Sequence, residues 1–188
     1  MAKKAESTLV NMLLSLTVIA VVAGVALAFV NGLTEGPIAQ VAKQKKADAL
    51  KEVLPEYARV EVDTLESLPC YIAYDANDNK VGVAVETADE NGFNGHIGIM
   101  VGFDNEGNVY GYRILETSET PGLGAKANTW FATGNTSIIG KSPSDAGFAV
   151  KKDGGQVDAI SGSTITSRAF CRAINKAYNA TKIGGTAE

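Results

Sequence analysis

A run of 22 residues without a charge, LVNMLLSLTVIAVVAGVALAFV from Leu9 to Val30, limits this chain more than any other feature. As a helix it spans ~33 Å, close to the ~30 Å hydrocarbon layer of a bilayer, so it reads as a single membrane-spanning segment. Lys3, Lys4 and the amino terminus precede the run, and no Lys or Arg follows it until Lys43. The positive-inside bias then keeps residues 1–8 in the cytoplasm and sends the chain beyond residue 30 outside. Ala26-Leu27-Ala28 has the small-x-small form of a signal-peptide cleavage site, which is the alternative reading. The anchor is preferred because the run exceeds the roughly 7–15 residues of a signal-peptide core and continues through Phe29 and Val30.

Setting the run aside leaves about 150 residues, one ordinary domain that needs neither metal nor disulfide merely to fold. Its partners are not nucleic acid: 17 Lys and Arg stand against 21 Asp and Glu, a net charge of −4, with no long basic block. Cys70 and Cys171 are the only cysteines and His96 the only histidine. Two distant thiols do not make an iron–sulfur site, and one histidine gives a zinc site or a histidine-based triad little to build on. The cysteines read as buried thiols, with a disulfide as the alternative outside the cytosol.

Along the rest of the chain, Pro37 predicts a helix start, and Ile38, Val41, Ala42, Ala49, Leu50 and Val53 recur at a loose helical period. Residues 31–54 therefore read as a juxtamembrane linker and helix, with Lys43, Lys45 and Lys46 facing water or lipid headgroups. Residues 55–188 are assigned to the outer domain. Alternating apolar segments around Asp/Asn/Gly turns predict two hairpins, 71–74 with 81–85 and 97–103 with 109–115, hence an antiparallel sheet. A short helix is expected around Trp130 and a strand near Ile138 and Ile139. Ala169, Phe170, Ala173, Ile174, Ala177 and Tyr178 mark a final amphipathic helix. The fold class is α+β, an antiparallel sheet with flanking helices behind one transmembrane helix.

Several apparent motifs fail on physical grounds. Gly122-Leu-Gly124-Ala-Lys-Ala127 matches a dinucleotide fingerprint, yet Pro121 precedes it where a buried strand is needed. Gly140-Lys141-Ser142 resembles the end of a phosphate loop, but Pro143 interrupts the helix that should follow. Asp75, Asn77 and Asn79 fall at calcium-loop positions, but Lys80 stands where that loop requires glycine, so a hairpin turn is expected. His96 reads as a strand-edge surface residue.

The segment Asp158-Ala-Ile-Ser161-Gly162-Ser163-Thr164-Ile-Thr166-Ser167 packs hydroxyl residues around a glycine and opens directly onto the last helix. A helix N-terminus offers unpaired amides and a partial positive charge, so a phosphate placed there meets several N–H donors. Helix capping explains the same hydroxyls without any ligand, and composition does not separate the two readings.

The segment resembles the flavinylation motif D-x-x-[S/T]-G-A-[T/S], on which bacterial flavin transferases attach FMN from FAD to the last hydroxyl. Asp158, Ser161, Gly162 and Thr164 match it, with Ser163 where alanine is usual and so a competing acceptor. Glu119-Thr120-Pro121-Gly122-Leu123-Gly124 resembles the ETPGLG signature of the FMN-binding domain found in the G subunit of the Rnf electron-transport complex and the C subunit of the sodium-pumping NADH:quinone reductase. Gly122 and Gly124 permit close backbone approach, and Leu123 supplies an apolar surface for a flat ring.

The resemblance implies a covalent FMN joined by a phosphoester to Thr164. Ser161, Gly162, Ser163, Glu119, Thr120, Gly122, Leu123 and Gly124 would line the cofactor, and Asp158 would be recognised by the transferase. It implies an electron-carrier subunit of an ion-translocating ferredoxin:NAD oxidoreductase in a bacterial cell membrane, in contact with lipid and with other membrane subunits of the complex. No independent active site and no metal are expected. The alternatives are the quinone-reductase subunit, a stand-alone extracytoplasmic flavin relay, and a non-redox binding module.

Overall fold

The computed structural model describes residues 8–143 and 146–181; Lys3 and Lys4, on which the predicted orientation rests, lie outside them. Helix α1 covers Leu9–Val53, and it is long and apolar enough to cross a membrane. Pro37 lies inside α1 rather than at a helix start. It removes one N–H from the ladder, and Thr34 directs its hydroxyl back to the carbonyls of Val30 (3.0 Å) and Asn31 (3.2 Å) in the turn before it. The chain divides into two compact units, 1–44 and 45–188.

In the second unit five strands form one antiparallel sheet in the order β1-β2-β3-β4-β5. They are β1 Arg59–Leu65, β2 Leu68–Tyr74, β3 Lys80–Gly92, β4 Gly95–Phe103 and β5 Val109–Thr117. Each strand pairs with the one before it, and both predicted hairpins are present. Their turns use one device. The Asp75 carboxylate accepts the amides of Asn77 and Asn79, each at 2.8 Å, and the Asp104 carboxylate those of Glu106 and Asn108, each at 2.9 Å. The calcium-like positions are therefore occupied with closing a hairpin. Strand β1 is not among the predicted hairpins although Arg59-Val60-Glu61-Val62-Asp63 alternates charged and apolar residues; its apolar positions gain little burial, Val62 being exposed like its charged neighbours.

Side chains alternate across the sheet and serve two different neighbours. Val83, Val85, Ile97, Ile99, Val101 and Phe103 point to the side covered by α3, Thr164–Thr181, which contributes Phe170, Ala173, Ile174 and Ala177. Phe131, just beyond α2 (Ala127–Trp130), stacks on Phe170 at 4.2 Å between centroids, and Tyr112 meets the same ring edge-on at 4.8 Å. The Tyr112 hydroxyl is satisfied within this core, donating to the Ala127 carbonyl (2.7 Å) and accepting the Phe131 amide (3.2 Å).

The opposite side is lined by Ala73, Ala84, Met100 and Leu115, against which residues 49–54 bury Ala49, Val53 and Leu54. Gly102 faces the backbone there: a Cβ on it would lie 1.7 Å from the Val53 carbonyl oxygen. Charged contacts fix the same turns, Lys46 with Glu86 at 2.8 Å, Arg113 with Glu52, and the Lys45 ammonium on the Leu115 carbonyl. The predicted strand near Ile138 and Ile139 does not form. Instead this stretch makes a few isolated backbone bonds, including Gly140 N–H to the Val109 carbonyl (2.8 Å) and Val109 N–H to the Lys141 carbonyl (2.9 Å), too few for a ladder.

Candidate functional site

The segment from Asp158 to Thr164 turns sharply into α3. Gly162 takes φ +78, a conformation a side chain resists, and the Ser163 amide closes the turn on the Ile160 carbonyl at 2.9 Å. The first helical bond follows, Ser167 N–H to the Ser163 carbonyl at 3.0 Å. The Ser167 hydroxyl, fully buried, donates to that carbonyl and accepts the Ile160 amide, both at 2.9 Å, which ties the turn to the helix. The hydroxyls thus have different fates. Ser167 is structural, Ser163 is buried, Ser161 is exposed, and Thr164 is half-buried on the first residue of the helix.

Asp158 is held at both ends. Its carbonyl accepts the Trp130 indole N–H at 2.9 Å and its carboxylate pairs with the Lys151 ammonium at 2.8 Å. The Thr164 hydroxyl accepts from the Lys152 ammonium at 3.5 Å. Asp153 makes a bidentate pair with Arg168 at 2.6 and 2.7 Å, and this guanidinium holds the Asp153 carboxyl below its ordinary range. One helical turn further on, Arg172 grips Asp89 of β3 through two bonds of 2.8 Å, lowering that carboxyl's pKa in the same way.

The ETPGLG loop packs against this start of α3. Leu123 and Ala125 return their amides to the Thr120 carbonyl (3.2 and 3.3 Å), with Gly122 at φ +77 making the reversal. Buried Glu119 accepts the Phe93 amide on one carboxylate oxygen at 2.7 Å, while its other oxygen is buried with no hydrogen-bond partner. The Thr166 hydroxyl, on the first turn of α3, is likewise buried and unpartnered. Both flank Gly124, where a Cβ would lie 2.5 Å from the Glu119 oxygen and 2.9 Å from the Thr166 oxygen. Leu123 Cδ2 comes within 3.6 Å of where a Gly162 Cβ would sit, so the two motifs, about 40 residues apart in sequence, adjoin. Leu123 (45% exposed) and Ile165 (47%) leave apolar surface open on these segments, and Phe93 (65%), whose amide Glu119 accepts, does so on the β3–β4 turn.

The remaining candidates lie elsewhere or stay inert. The His96 ring contacts Glu90 at 2.7 Å on the sheet surface. Cys70 and Cys171 are buried free thiols, and burial pushes them up to about 11 and about 12. Among the described residues no three His, Cys, Asp or Glu side chains converge as metal ligands would. Sequence reasoning does not single out Trp130, Lys151, Lys152 and Phe93 for the site, yet the structure brings all four to the two motifs. Nothing in their spacing marks them, because each reaches the site through a tertiary contact.

A family model described as the FMN-binding domain matches residues 92–179, a span that holds both motifs and α3. This part of the chain is thus a domain of the FMN-binding class. The chain is 32% identical over 175 residues to the G subunit of the ion-translocating oxidoreductase complex of Shewanella amazonensis, covering 84% of this chain and 80% of that protein. With the corresponding protein of Yersinia pestis the identity is 37% over 169 residues, covering 80% and 79%. The chain belongs to the family of G subunits of ion-translocating oxidoreductase complexes. A crystal structure of the C subunit of the Na(+)-translocating NADH-quinone reductase from Parabacteroides distasonis is similar at a TM-score of 0.49 and 22% identity, over 64% of each chain.

Proposed function

We propose that this chain is the covalent-FMN electron carrier of a membrane-bound, ion-translocating ferredoxin:NAD oxidoreductase of the Rnf type. In this reading residues 1–8 are cytoplasmic, 9–30 cross the cell membrane, 31–54 lead away from it, and the domain outside carries the flavin and works against neighbouring subunits of the complex. The observation that carries it is the meeting of Gly162, Leu123, Gly124 and Thr166, which joins the acceptor segment to the loop suited to a flat ring.

The residues fit such a cofactor. Thr164 offers a partly exposed hydroxyl at a helix start, whose first amides have no partners within the helix. Leu123, Ile165 and Phe93 offer apolar surface to a ring, and the unpartnered oxygens of Glu119 and Thr166 offer buried polar contacts. Bound there, FMN supplies the redox chemistry. The protein orients it: the pairs Asp153–Arg168 and Asp89–Arg172 hold the helix that bears Thr164 against the neighbouring loop and the sheet. Ser163 is the weaker acceptor because its side chain is buried under the turn, and Asp158 serves recognition by a flavin transferase.

Intact mass of the full chain, co-produced with a flavin transferase, tests the assignment. Wild type is expected to gain the mass of one FMN less water, Thr164→Val to lose that mass and its in-gel fluorescence, and Ser163→Ala to keep both. Asp158→Ala is expected to lower the flavinylated fraction. Fragment spectra that place the flavin on Ser163 or Thr166 would overturn the reading. The orientation is tested separately: alkaline phosphatase fused after Thr181 is expected to be active, and a cytoplasmic reporter at that position silent.

A further inference from the structure

The sequence Lys151-Lys152-Asp153-Gly154-Gly155 forms a tight 3₁₀ turn that stands beside the acceptor segment without belonging to either motif. Its backbone is tied at several points: Lys151 N–H to the Val157 carbonyl at 2.9 Å, Val157 N–H to the Ala149 carbonyl at 3.0 Å, and Gly155 N–H to the Val150 carbonyl at 3.2 Å. Gly154 adopts φ +85, and a Cβ on Gly155 would lie 2.1 Å from the Ala149 carbonyl oxygen, so both glycines are demanded by the path of the chain. The turn is a built element, and its three leading side chains all reach across to the flavinylation segment and the helix it opens. Lys151 pairs with Asp158, Asp153 pairs with Arg168, and between them Lys152 reaches the Thr164 hydroxyl.

The charges in this row are not equivalent. Asp158 answers Lys151 and Arg168 answers Asp153, whereas Lys152 has no carboxylate in ion-pair contact among the described residues. A fixed turn therefore presents to the hydroxyl at the first residue of a long helix an ammonium that acts on the adjacent Asp153 through its charge but makes no ion-pair contact. That is the arrangement an anion on the hydroxyl would require, with the amides of the helix start on one side and a cation on the other.

We infer that Lys152 is the counter-ion of a phosphodiester on Thr164, and that the 151–155 turn exists in part to hold it there. The inference rests on the covalent-FMN reading above. A phosphodiester carries one negative charge, and the ammonium, 3.5 Å from the Thr164 oxygen, is the side chain that would meet it. Lys151 and Asp153 act differently, each neutralising a partner across the turn so that Lys152 is left to face the phosphate. Arginine in place of Lys152 keeps the charge, and glutamine removes it at similar length.

A thermodynamic cycle on the full chain isolates this contact from any general effect on folding. Wild type, Lys152→Gln, Lys152→Arg and Lys176→Gln are each purified in detergent with and without co-production of a flavin transferase. Occupancy is read by intact mass and Tm by thermal melting. Flavinylation is expected to shift Tm more favourably in wild type, Lys152→Arg and Lys176→Gln than in Lys152→Gln, and the ³¹P resonance of the diester is expected to move in Lys152→Gln alone. The initial rate of FMN attachment to Lys152→Gln is expected to fall about fivefold, the scale of one exposed charge-assisted contact. A purely structural lysine lowers the loaded and unloaded Tm equally. An equal flavin-dependent shift in wild type and Lys152→Gln, with superposable ³¹P spectra, would refute the counter-ion role while leaving the flavin assignment intact. Wild type without the FMN mass would instead remove the assignment on which it rests.

Discussion

The two faces of the sheet are held by opposite means. Toward α3 the strands present Val, Ile and Phe side chains, and contact is made by interdigitating rings and branched chains around Phe170. Toward residues 49–54 the sheet presents Ala73, Gly82, Ala84, Gly102 and Gly111, and backbone approaches backbone with little between. A face filled by large side chains has many ways to repack after a small change in volume. At Gly102 and Gly111, between the Met100 and Leu115 side chains of the second face, there is no such freedom, because the obstacle to an added methyl is the main chain itself.

Removing the centre of the first face is expected to have the largest effect. Phe170→Ala loses both ring contacts and should destabilise the domain by about 4 kcal/mol, read as a lower denaturant midpoint. Gly102→Ala is next: with the Val53 carbonyl 1.7 Å from the new methyl, residues 49–54 must lift off the sheet, and a cost of about 3 kcal/mol is expected. Ile99→Val, which changes volume by the same single carbon on the α3 side, should cost only about 1 kcal/mol. Equal losses for Gly102→Ala and Ile99→Val would erase the distinction between the faces.

The α3 face also holds both thiols, and their burial makes it sensitive to alkali. A thiol whose pKa is raised by burial binds its proton more tightly folded than unfolded. Its contribution is complete below the ordinary thiol range near ~8.5 and is lost as pH rises through about 11 for Cys70 and about 12 for Cys171. The denaturant midpoint is expected to fall as pH rises from ~8.5 toward about 11, less steeply in Cys171→Ala than in wild type. The smallest change expected is in Thr166→Val, which deletes a buried hydroxyl with no partner. In the unloaded protein it should be neutral or stabilising by up to about 1 kcal/mol, measured by the same denaturant midpoints.

What could be read from residues alone follows the same division. Side chains that alternate or recur announce themselves, so the two hairpins and the last helix are legible from Tyr71–Tyr74 with Val81–Val85, Ile97–Phe103 with Val109–Leu115, and the Phe170–Tyr178 spacing. The segment 158–167 is visible as a cluster of hydroxyls, and the proposal of an acceptor there rests on a family resemblance, not on that cluster. Strand β1 carries the alternation Arg59-Val60-Glu61-Val62-Asp63 without the burial that usually accompanies it, since Val62 is exposed, and its pairing with β2 supplies what its side chains do not. The packing of Ala49 and Val53 on the sheet was hidden by the lysines around them. Lys152 and Trp130 reach the site through a fixed turn and a single indole bond, and a contact of that kind leaves no period to detect.

The order of the sheet, in which every strand pairs with the one before it, has a consequence in time. Such a meander assembles from contacts local in sequence, hairpin upon hairpin, without waiting for distant parts of the chain. Its α3-facing surface stays uncovered until the C-terminal helix arrives, and Thr164 is the first residue of that helix. The 158–164 segment takes its shape from bonds to α3 and to the 151–155 turn, so it is complete only when α3 has docked. On the covalent-FMN proposal, a flavin on this threonine would then serve as a receipt for completed folding, since a chain without α3 docked lacks the turn that presents it.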